Sequence, residues 1–506
     1  MYSIGIDLGT SSNKGILIDE QGKILAEAHI EYALDTQGED LCELDPEIYW
    51  TNVQTIIHNL LAESKVDPLQ IKGIACASQA ETLICIDNQG IPLRKAFVWL
   101  DNRSTVEAKE IQEYFGKEKV FQFTGQPEVV ATWPATKIAW MRKNEPKIFS
   151  KVHKFLMVED YIMYKLSGKF VTEPSISSST IYLDINKKIW WDEMLDYLQI
   201  TKDQLPEIIK SGTSIGKIQN PTLNNLSRLG RIQNCLVITG AYDHAAGAIG
   251  AGNIETGMIS ETTGSSMAMV VTMDKALLDI RMSVPCQVHC LEGKYFLLPY
   301  GQTAGMALKW FANQFGNEEL AQSAKENKDI YDLLTDQAAQ VPIGSEGLTM
   351  LPHLAGAGSP EFDSDCRGVF AGISLSMSKG HFVRALMESV VSMVNKNIEA
   401  IKSSGFKPLE IRALGGGAKS SLWNQMKADM TGLTIKTLDV REAPSLGAAI
   451  LAGVGSGVFE SIEEGCKKVV QIRDIYTPQK TNFSAYQIVY KKYCSLYDSL
   501  VGFWKD

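Results

Sequence analysis

Two segments of the chain share one order of features: an apolar β-prone strand, a turn rich in glycine and hydroxyl residues, and a second strand. They span residues 2–19 and 258–272, and a third β-prone run follows each, at 23–32 and 294–299. Such a repeat indicates an internal duplication into two similar α/β lobes. Because short α/β patterns also recur by coincidence, the repeat alone leaves both explanations open.

The length of the chain favours the duplication. At 506 residues it exceeds what one hydrophobic core usually organises, so two large domains are expected. We place the boundary in a glycine-punctuated segment after a strand at 235–239, which gives domains of residues 1–246 and 247–506. No low-complexity linker separates them. The sequence therefore predicts two α/β domains packed around a cleft, where small ligands commonly bind.

Periodicity and cap residues predict further elements. Asp45 and Pro46 begin a helix, because aspartate is a good N-cap and proline a good first residue. The remaining expected elements are strands at 15–19, 71–77, 82–86, 409–414 and 434–438, and helices at 378–403, 420–431, 444–454 and 483–504.

Composition excludes several classes of function. The net charge of −10 disfavours sequence-independent binding to nucleic acid, which needs a positive surface. The nine cysteines are scattered and suit a reducing cytosol better than a disulfide framework. Neither a signal peptide nor an apolar run of membrane-spanning length is visible. We expect a cytoplasmic protein without nucleic-acid or membrane partners, acting alone or as a homodimer.

The first turn, Asp7 to Lys14, has the composition of a phosphate-binding loop. Glycine lets backbone N–H groups approach an anion, and neighbouring hydroxyls add donors. Asp7 at the strand end suits a hydrated Mg²⁺, which takes few carboxylates besides waters and phosphate oxygens. An ordinary hairpin turn is the alternative. The residues predicted to bind ATP phosphates here are Gly9, Thr10, Ser11, Ser12 and Lys14.

Two later turns have similar chemistry. Residues 262–266 include Gly264 and Ser265, and the glycine run 415–417 follows a strand and precedes a helix. A helix N-terminus adds a favourable dipole and free N–H groups for an anion. Neither a Walker A sequence nor the protein-kinase glycine loop is evident, which disfavours those nucleotide folds.

Asp243 follows an apolar strand and lies among small residues. Phosphoryl transfer needs positioning, charge neutralisation and a base for the hydroxyl proton, and Asp243 suits the role of that base. It also suits Mg²⁺, through water. The alternative is a helix N-cap, a common use of aspartate. His244 either lines the pocket or packs in the core.

With these residues assembled, the chain resembles the FGGY carbohydrate kinases, members of the actin–hexokinase–Hsp70 ATPase superfamily. One family signature matches residues 368–388, and the other surrounds Pro134, Lys137 and Trp140, departing only at Thr132. The resemblance implies two actin-like (ribonuclease H-like) domains, ATP and Mg²⁺, and catalysis by Asp243. It further implies an adenosine site comprising Gly264, Ser265, Gly305, Lys309, Gly416, Gly417 and Ala418.

The resemblance also places a sugar pocket in the first domain. Carboxylates and amides can read hydroxyls, and an aromatic face such as Trp99 can pack against C–H groups, although core packing explains Trp99 equally well. The implied substrate-binding residues are Ser78, Gln79, Glu81, Trp99, Asp101, Arg103, Asp243 and His244.

The acceptor follows less directly. The chain looks most like xylulokinase-like members of the family, but the loop 78–82 departs from their pocket motif and matches glycerol kinases only in part. A buried Glu81 would repel a carboxylated sugar, because desolvated like charges are costly. We therefore expect a neutral ketopentose such as xylulose. The alternatives are glycerol or another polyol, gluconate, and, from another class, a non-catalytic actin-like ATPase switch.

Overall fold

Six strands of the first half form one sheet. The computed structural model describes residues 1–38, 40–219, 232, 234–278, 284–440 and 442–505. The sheet has the order β5-β6-β4-β1-β2-β3, in which β1, β4 and β6 are parallel and β2 and β3 are antiparallel to their neighbours. The strands are β1 Tyr2–Leu8, β2 Ser12–Asp19, β3 Ile24–Glu31, β4 Ile71–Ser78, β5 Ser214–Lys217 and β6 Leu236–Tyr242.

The second half repeats this arrangement. Its central strands have the order β10-β8-β7-β11-β12, with β7, β11 and β12 parallel and β8 and β10 antiparallel, as in the first sheet. The duplication predicted from the sequence is therefore present in the topology. The strands are β7 Met258–Thr263, β8 Met267–Met273, β9 Cys286–Val288, β10 Tyr295–Leu297, β11 Glu410–Leu414, β12 Thr434–Leu438 and β13 Ile472–Tyr476.

The first of the helices that flank these sheets starts where its cap residue predicts. Asp45 accepts a hydrogen bond from the Glu47 amide and caps the first helix. Those used below are α1 Pro46–Ser64, α2 Val158–Ser167, α3 Asp243–Gly250, α4 Gly305–Phe315, α5 Lys379–Ser403, α6 Ser421–Thr431 and α7 Ala443–Gly455. Other helices are Thr105–Phe115, Lys117–Thr124, Pro134–Asn144, Asp192–Leu198, Asn317–Glu326, Ile330–Ala339, Ile462–Val469 and Lys480–Leu500.

Helix α7 joins the two halves by packing on the first sheet. A Cβ at Gly5 of β1 would lie 2.0 Å from the carbonyl oxygen of Ser445, and one at Gly447 would lie 1.8 Å from that of Ala246. Backbones can approach this closely only where side chains are absent. The small residues at 445–449 therefore let α7 lie against both β1 and α3. The predicted domain boundary, between residues 246 and 247, falls inside α3 and stays a prediction.

The expected and observed elements differ mainly at their ends. The strand expected at 82–86 spans only Ile84–Ile86, because Glu81 has φ +63° and turns the chain immediately before it. The strand expected at 15–19 begins three residues earlier, at Ser12, since β2 pairs with β1 up to the phosphate turn. Within the described residues, no helix has both the length and the apolar character needed to cross a bilayer.

Candidate active site

The first glycine turn connects β1 to β2 at the end of the sheet where the parallel strands β1, β4 and β6 terminate. The Gly9 amide donates to the Ser12 carbonyl oxygen at 3.1 Å, which closes the turn. Lys14, predicted to bind phosphate, pairs with Glu442 at 2.7 Å, and both side chains remain about a third exposed. The Lys14 ammonium is thus already paired with a carboxylate of the protein, and its contact with phosphate stays a prediction.

The second and third turns meet at a cavity of about 360 Å³ in the second half of the molecule. The Gly305 amide, at the start of α4, donates to the Gly264 carbonyl oxygen at 2.8 Å and brings α4 against the second turn. Six predicted ATP-binding residues line this cavity, together with Tyr331 and Trp423: Gly264, Ser265, Gly305, Lys309, Gly416 and Gly417. Ala418, also predicted, is buried beside it, and its carbonyl oxygen accepts hydrogen bonds from Asn424 and Arg473.

A buried ion pair supports the second turn from below. Lys427 of α6 lies 2.5 Å from the Glu261 carboxylate and 2.9 Å from the Thr263 hydroxyl, and neither charged side chain is exposed. Thr263 in turn donates a short hydrogen bond to Glu261. The charges satisfy one another through well-formed hydrogen bonds, which is the condition for keeping an ion pair in a core. Sequence reasoning did not identify this pair, because its members are distant in the chain.

Asp243 is the first residue of α3, and Tyr242 occupies the N-cap position. The N-cap interpretation of Asp243 is therefore wrong. Its Oδ1 is buried and has no hydrogen-bond partner. Burial raises the pKa of this carboxyl to about 7. A carboxyl with an available oxygen and a pKa near neutrality is suited to accept a proton from a hydroxyl at physiological pH.

Asp7 and Glu81 lie close enough to Asp243 to interact with it electrostatically. Burial, and after it the charge of Asp243, raises the pKa of each of the two carboxyls to about 8. Asp7 Oδ1 also lacks a hydrogen-bond partner. Three buried carboxyls therefore lie near one another, and their protons bind as a coupled set.

This set of groups fits Mg²⁺. Hard oxygen ligands with free lone pairs, one or two per ion, are what Mg²⁺ takes beside waters and substrate phosphates. Asp7 and Asp243 each present one such unpartnered oxygen. In the part of the chain that the structure describes, no group of three or more His, Cys, Asp or Glu side chains is arranged to hold a metal by itself. Waters and phosphate oxygens would thus complete the shell.

The loop 78–82 after β4, which is predicted to bind the acceptor, is hydrogen-bonded to the first phosphate turn. The Gln79 amide nitrogen donates to the Tyr49 hydroxyl at 2.7 Å and to the Gly9 carbonyl oxygen at 3.3 Å. Its Oε1 accepts from the Thr10 hydroxyl at 3.1 Å. Ser78 is buried, and its hydroxyl donates to the Gln79 carbonyl oxygen. Gln79, predicted to read the sugar, therefore has all its polar atoms engaged within the protein.

The second segment predicted to bind the acceptor, residues 99–103, contains an ionic cluster. Arg103 donates two hydrogen bonds to the two oxygens of Asp101 and a third to Glu43. Asp101 is fully buried and also accepts from the Cys42 amide. Asp101 and Arg103, both predicted to bind the substrate, are thus bonded to each other. Contact of either one with a sugar stays a prediction.

Lys137 lies beneath these two segments and was noted only as part of a family signature. Its ammonium donates to the carbonyl oxygens of Thr132, Val98 and Glu81, at 2.9, 3.1 and 3.4 Å. Burial lowers its pKa to about 7, although Asp101 and Glu81 oppose the shift. All three ammonium protons are used to hold three chain segments together under the pocket.

His244 completes the set of predicted residues. Its ring lies edge-on to Tyr242, with the centroids 5.1 Å apart. Burial lowers its pKa to about 4, so the imidazole is neutral at physiological pH. It can therefore line the cleft without bringing a positive charge to the three carboxyls.

Both halves of the chain match domains of a known protein family. Residues 2–250 match the N-terminal domain of the FGGY family of carbohydrate kinases, and residues 262–456 match its C-terminal domain. A xylulose kinase of Lactococcus lactis is 30% identical over 98% of this chain and 96% of its own. A gluconokinase of Bacillus subtilis is 30% identical over 91% of this chain and 89% of its own.

A solved structure extends the comparison to the fold. The ligand-bound xylulose kinase from Lactobacillus acidophilus superposes with a TM-score of 0.90 at 26% identity, covering 100% of this chain and 99% of the other. The two-domain α/β fold of actin-like ATPase type, predicted from the sequence, is therefore confirmed.

Proposed function

The chain belongs to the FGGY family of carbohydrate kinases, and we propose on that premise that it phosphorylates a neutral ketopentose such as xylulose. That it is an ATP-dependent sugar kinase follows from the family itself. The identity of the acceptor rests on the full-length similarity to xylulose kinases and on the charge of the pocket. We further propose that it works in the cytoplasm, alone or as a homodimer.

The observation that carries the mechanism is the buried, unpartnered carboxyl oxygen of Asp243. In the proposed reaction Asp243 accepts the proton of the acceptor hydroxyl. The resulting oxygen nucleophile forms a bond to the γ-phosphorus while the bond from that phosphorus to the β–γ bridging oxygen breaks. ADP leaves with the bridging oxygen, and the sugar phosphate keeps the new P–O bond. Positioning and charge stabilisation supply most of the acceleration in such transfers.

The nucleotide is proposed to lie across the glycine turns. The adenosine would occupy the cavity beside Gly305 and Gly416, and the phosphates would lie against the turns at Gly9 and Gly264. Backbone N–H groups of such turns bind phosphate oxygens without needing cationic side chains. When bound, Mg²⁺ would neutralise phosphate charge, with Asp7 and Asp243 as its protein ligands through water. Enclosure of the acceptor between the domains excludes water as a competing nucleophile.

A neutral acceptor fits the electrostatics of the pocket. Glu81 is buried near Asp243, whose charge raises the pKa of Glu81 and also that of Asp7. A carboxylated sugar would bring a further negative charge among groups that already resist ionisation, which is costly without an added cation. Gluconate is nevertheless the second candidate, because a gluconokinase is as similar in sequence as the xylulose kinases are.

A coupled ADP-release assay tests the proposal. Purified protein with Mg·ATP is assayed against pentuloses, hexuloses, glycerol and other polyols, and aldonates, and kcat/KM is compared across the panel. The highest value is expected for a ketopentose. A highest value for gluconate would overturn the proposed acceptor, and ATP turnover that no sugar alters would indicate an ATPase switch instead.

A further inference from the structure

Strand β6 contains a bulge three residues before Asp243. Its residues Ile238 and Ala241 pair with Ala75 and Ala77 of β4, so three steps along β6 oppose two steps along β4. The extra residue displaces Thr239 and Gly240 from the regular ladder. A bulge bends its strand and redirects the side chains that follow, and bulges are frequent beside active sites for that reason.

Glycine is required at this bulge. A Cβ at Gly240 would lie 1.7 Å from the carbonyl oxygen of Cys76 on β4. The two backbones touch at this point, and the Gly240 amide no longer has a carbonyl partner in the ladder. A buried amide without a partner is destabilising, because it loses its hydrogen bonds to water and gains none in the protein. The bulge therefore needs an acceptor from elsewhere in the protein.

Glu159 of α2 supplies that acceptor. Its Oε1 accepts from the Gly240 amide at 2.9 Å, and the side chain has no exposed surface. Its Oε2 has no hydrogen-bond partner. Burial, and after it the neighbouring carboxyls Glu173 and Asp160, raises the pKa of Glu159 well above its usual range. Burial of an acid is costly, and Glu159 is buried with its Oε1 bonded to the Gly240 amide. This hydrogen bond is therefore important for the structure of the bulge.

Ser175 fixes the other side of the bulge. Its hydroxyl oxygen accepts from the Tyr242 amide at 3.0 Å, directly before Asp243. The same hydroxyl donates to Glu173 at 2.6 Å. Glu173 is held in turn by the Ile176 amide and by the Ser211 hydroxyl. Two amides of the last three residues before α3, those of Gly240 and Tyr242, are thus bound by side chains from outside the sheet.

We propose that Glu159 and Ser175 are positioning residues, which hold the β6 bulge so that the Asp243 carboxyl points into the cleft. Neither side chain is placed to touch a substrate. The inference rests on the proposed role of Asp243 as the base. It predicts that both residues act on the chemical step and leave nucleotide binding unchanged.

Variants of two adjacent buried acids provide the test. Glu159→Ala removes the acceptor of the Gly240 amide, whereas Asp160→Ala removes a neighbouring carboxyl that accepts from the Met157 amide and bonds the Thr172 side chain, away from the bulge. We expect Glu159→Ala to lower kcat roughly 10- to 100-fold, as a misplaced catalytic group does, with KM for ATP unchanged. Asp160→Ala should keep kcat per folded molecule, and Glu159→Gln, which retains a carbonyl acceptor, should restore it. Equal losses in the two alanine variants would overturn the proposal.

A double variant separates positioning from general destabilisation. In an Asp243→Ala background, loss of Glu159 should lower the residual rate no further, because the group that it positions is gone. The same loss in both backgrounds would count against the proposal. Should Glu159→Ala not fold, Ser175→Ala makes the same prediction from the Tyr242 side, and unchanged kcat in that variant would also overturn it.

The controls distinguish this inference from the proposed function. Full turnover in Asp243→Ala would reject Asp243 as the base, whatever Glu159 does. Loss of turnover in Asp243→Ala, together with normal kcat in both Glu159→Ala and Ser175→Ala, would reject only the positioning role.

Discussion

The indole Nε1 of Trp99 donates a hydrogen bond to the hydroxyl of Thr10, at 2.8 Å. Thr10 belongs to the first phosphate turn, and Trp99 belongs to a segment predicted to bind the sugar. The Thr10 hydroxyl also donates to Gln79 of the other acceptor segment. One hydroxyl therefore connects the proposed phosphate and sugar sites.

Loss of this hydrogen bond should weaken both sites together. In Trp99→Phe an aromatic ring is kept, although a smaller one, and the donor is removed, so kcat/KM for the sugar should fall roughly fivefold, which corresponds to about 1 kcal/mol for a hydrogen bond. Steady-state kinetics with each substrate varied would measure this. Trp133→Phe is the matched control, because that indole donates to the Glu128 carbonyl oxygen outside the proposed site. Equal effects in the two variants would contradict the connection.

Asp243→Ala should lose turnover by about 10²–10⁴, the usual contribution of a general base. Binding of ATP, measured by calorimetry, should persist because the adenosine cavity lies in the second half of the chain. Asp243→Asn, which preserves shape but cannot take the proton, should be equally inactive. An active Asp243→Asn enzyme would exclude the proposed base.

The pH dependence should show a carboxyl with a raised pKa. Asp243, with a pKa of about 7, must be ionised to accept a proton, so kcat/KM should decrease as the pH falls through about 7. Glu81→Gln should leave this limb near pH 7, because burial sets the pKa of Asp243 and Glu81, with a pKa of about 8, is still protonated as Asp243 ionises. A profile that stays flat from about pH 5.5 to 8 would contradict the assignment.

Stability should respond to the same group of carboxyls. A carboxyl whose pKa is raised by folding favours the folded state most below its unfolded pKa, and this contribution is lost as the pH rises through the folded pKa. Asp7, with a folded pKa of about 8, should therefore destabilise the nucleotide-free protein between about pH 4 and 8. Asp7→Asn should raise the melting temperature more at pH 8 than at pH 5, while activity falls. An equal change at both pH values would argue against a buried, titrating Asp7.

The adenosine cavity offers a pair of glycines for comparison. In Gly305→Ala the new Cβ would lie 2.5 Å from the Gly264 carbonyl oxygen, so the second turn must move and KM for ATP should rise. Gly416 has open space around its Cβ position. Gly416→Ala should therefore keep the melting temperature of the parent, and any rise in its KM for ATP would report contact with the nucleotide. A lower melting temperature for Gly416→Ala than for Gly305→Ala would contradict this geometry.

The buried pair beneath the second turn should matter for stability. Lys427→Met leaves Glu261 as an unpaired buried carboxylate, a change that typically costs about 3–5 kcal/mol. Urea unfolding would measure the loss. Adding Glu261→Gln to Lys427→Met should recover part of it, because the second change removes the uncompensated charge. No recovery in the double variant would show that the pair is not coupled in this way.

Sequence reasoning was most successful where structure is decided locally. Strand β12 has the expected bounds, residues 434–438, and the first helix begins at Pro46 behind its Asp45 cap. Hydrophobic alternation and cap chemistry act over a few residues, so they can be read from the chain. The strand expected at 82–86 was too long, because the left-handed backbone at Glu81 turns the chain just before it and glutamate gives no local sign of such a turn.

In the candidate site, too, residues that belong to short motifs could be predicted, whereas their distant partners could not. Glycine turns and the acid after a strand identified Gly9, Gly264 and Asp243, since each depends on a short motif. The partners of these residues come from distant parts of the chain: Lys14 pairs with Glu442, and the bulge before Asp243 depends on Glu159. No periodicity or motif connects such positions.

The duplicated α/β plan, the glycine turns and the resemblance to a kinase family can be read from the chain, because they follow from short patterns and their order. Which polar groups are engaged and which remain available depends on the folded arrangement. Gln79 and Arg103 are held by protein partners, whereas Asp243 keeps a free oxygen and a pKa near 7. Burial and long-range contacts set these properties, and both exist only once the chain has folded.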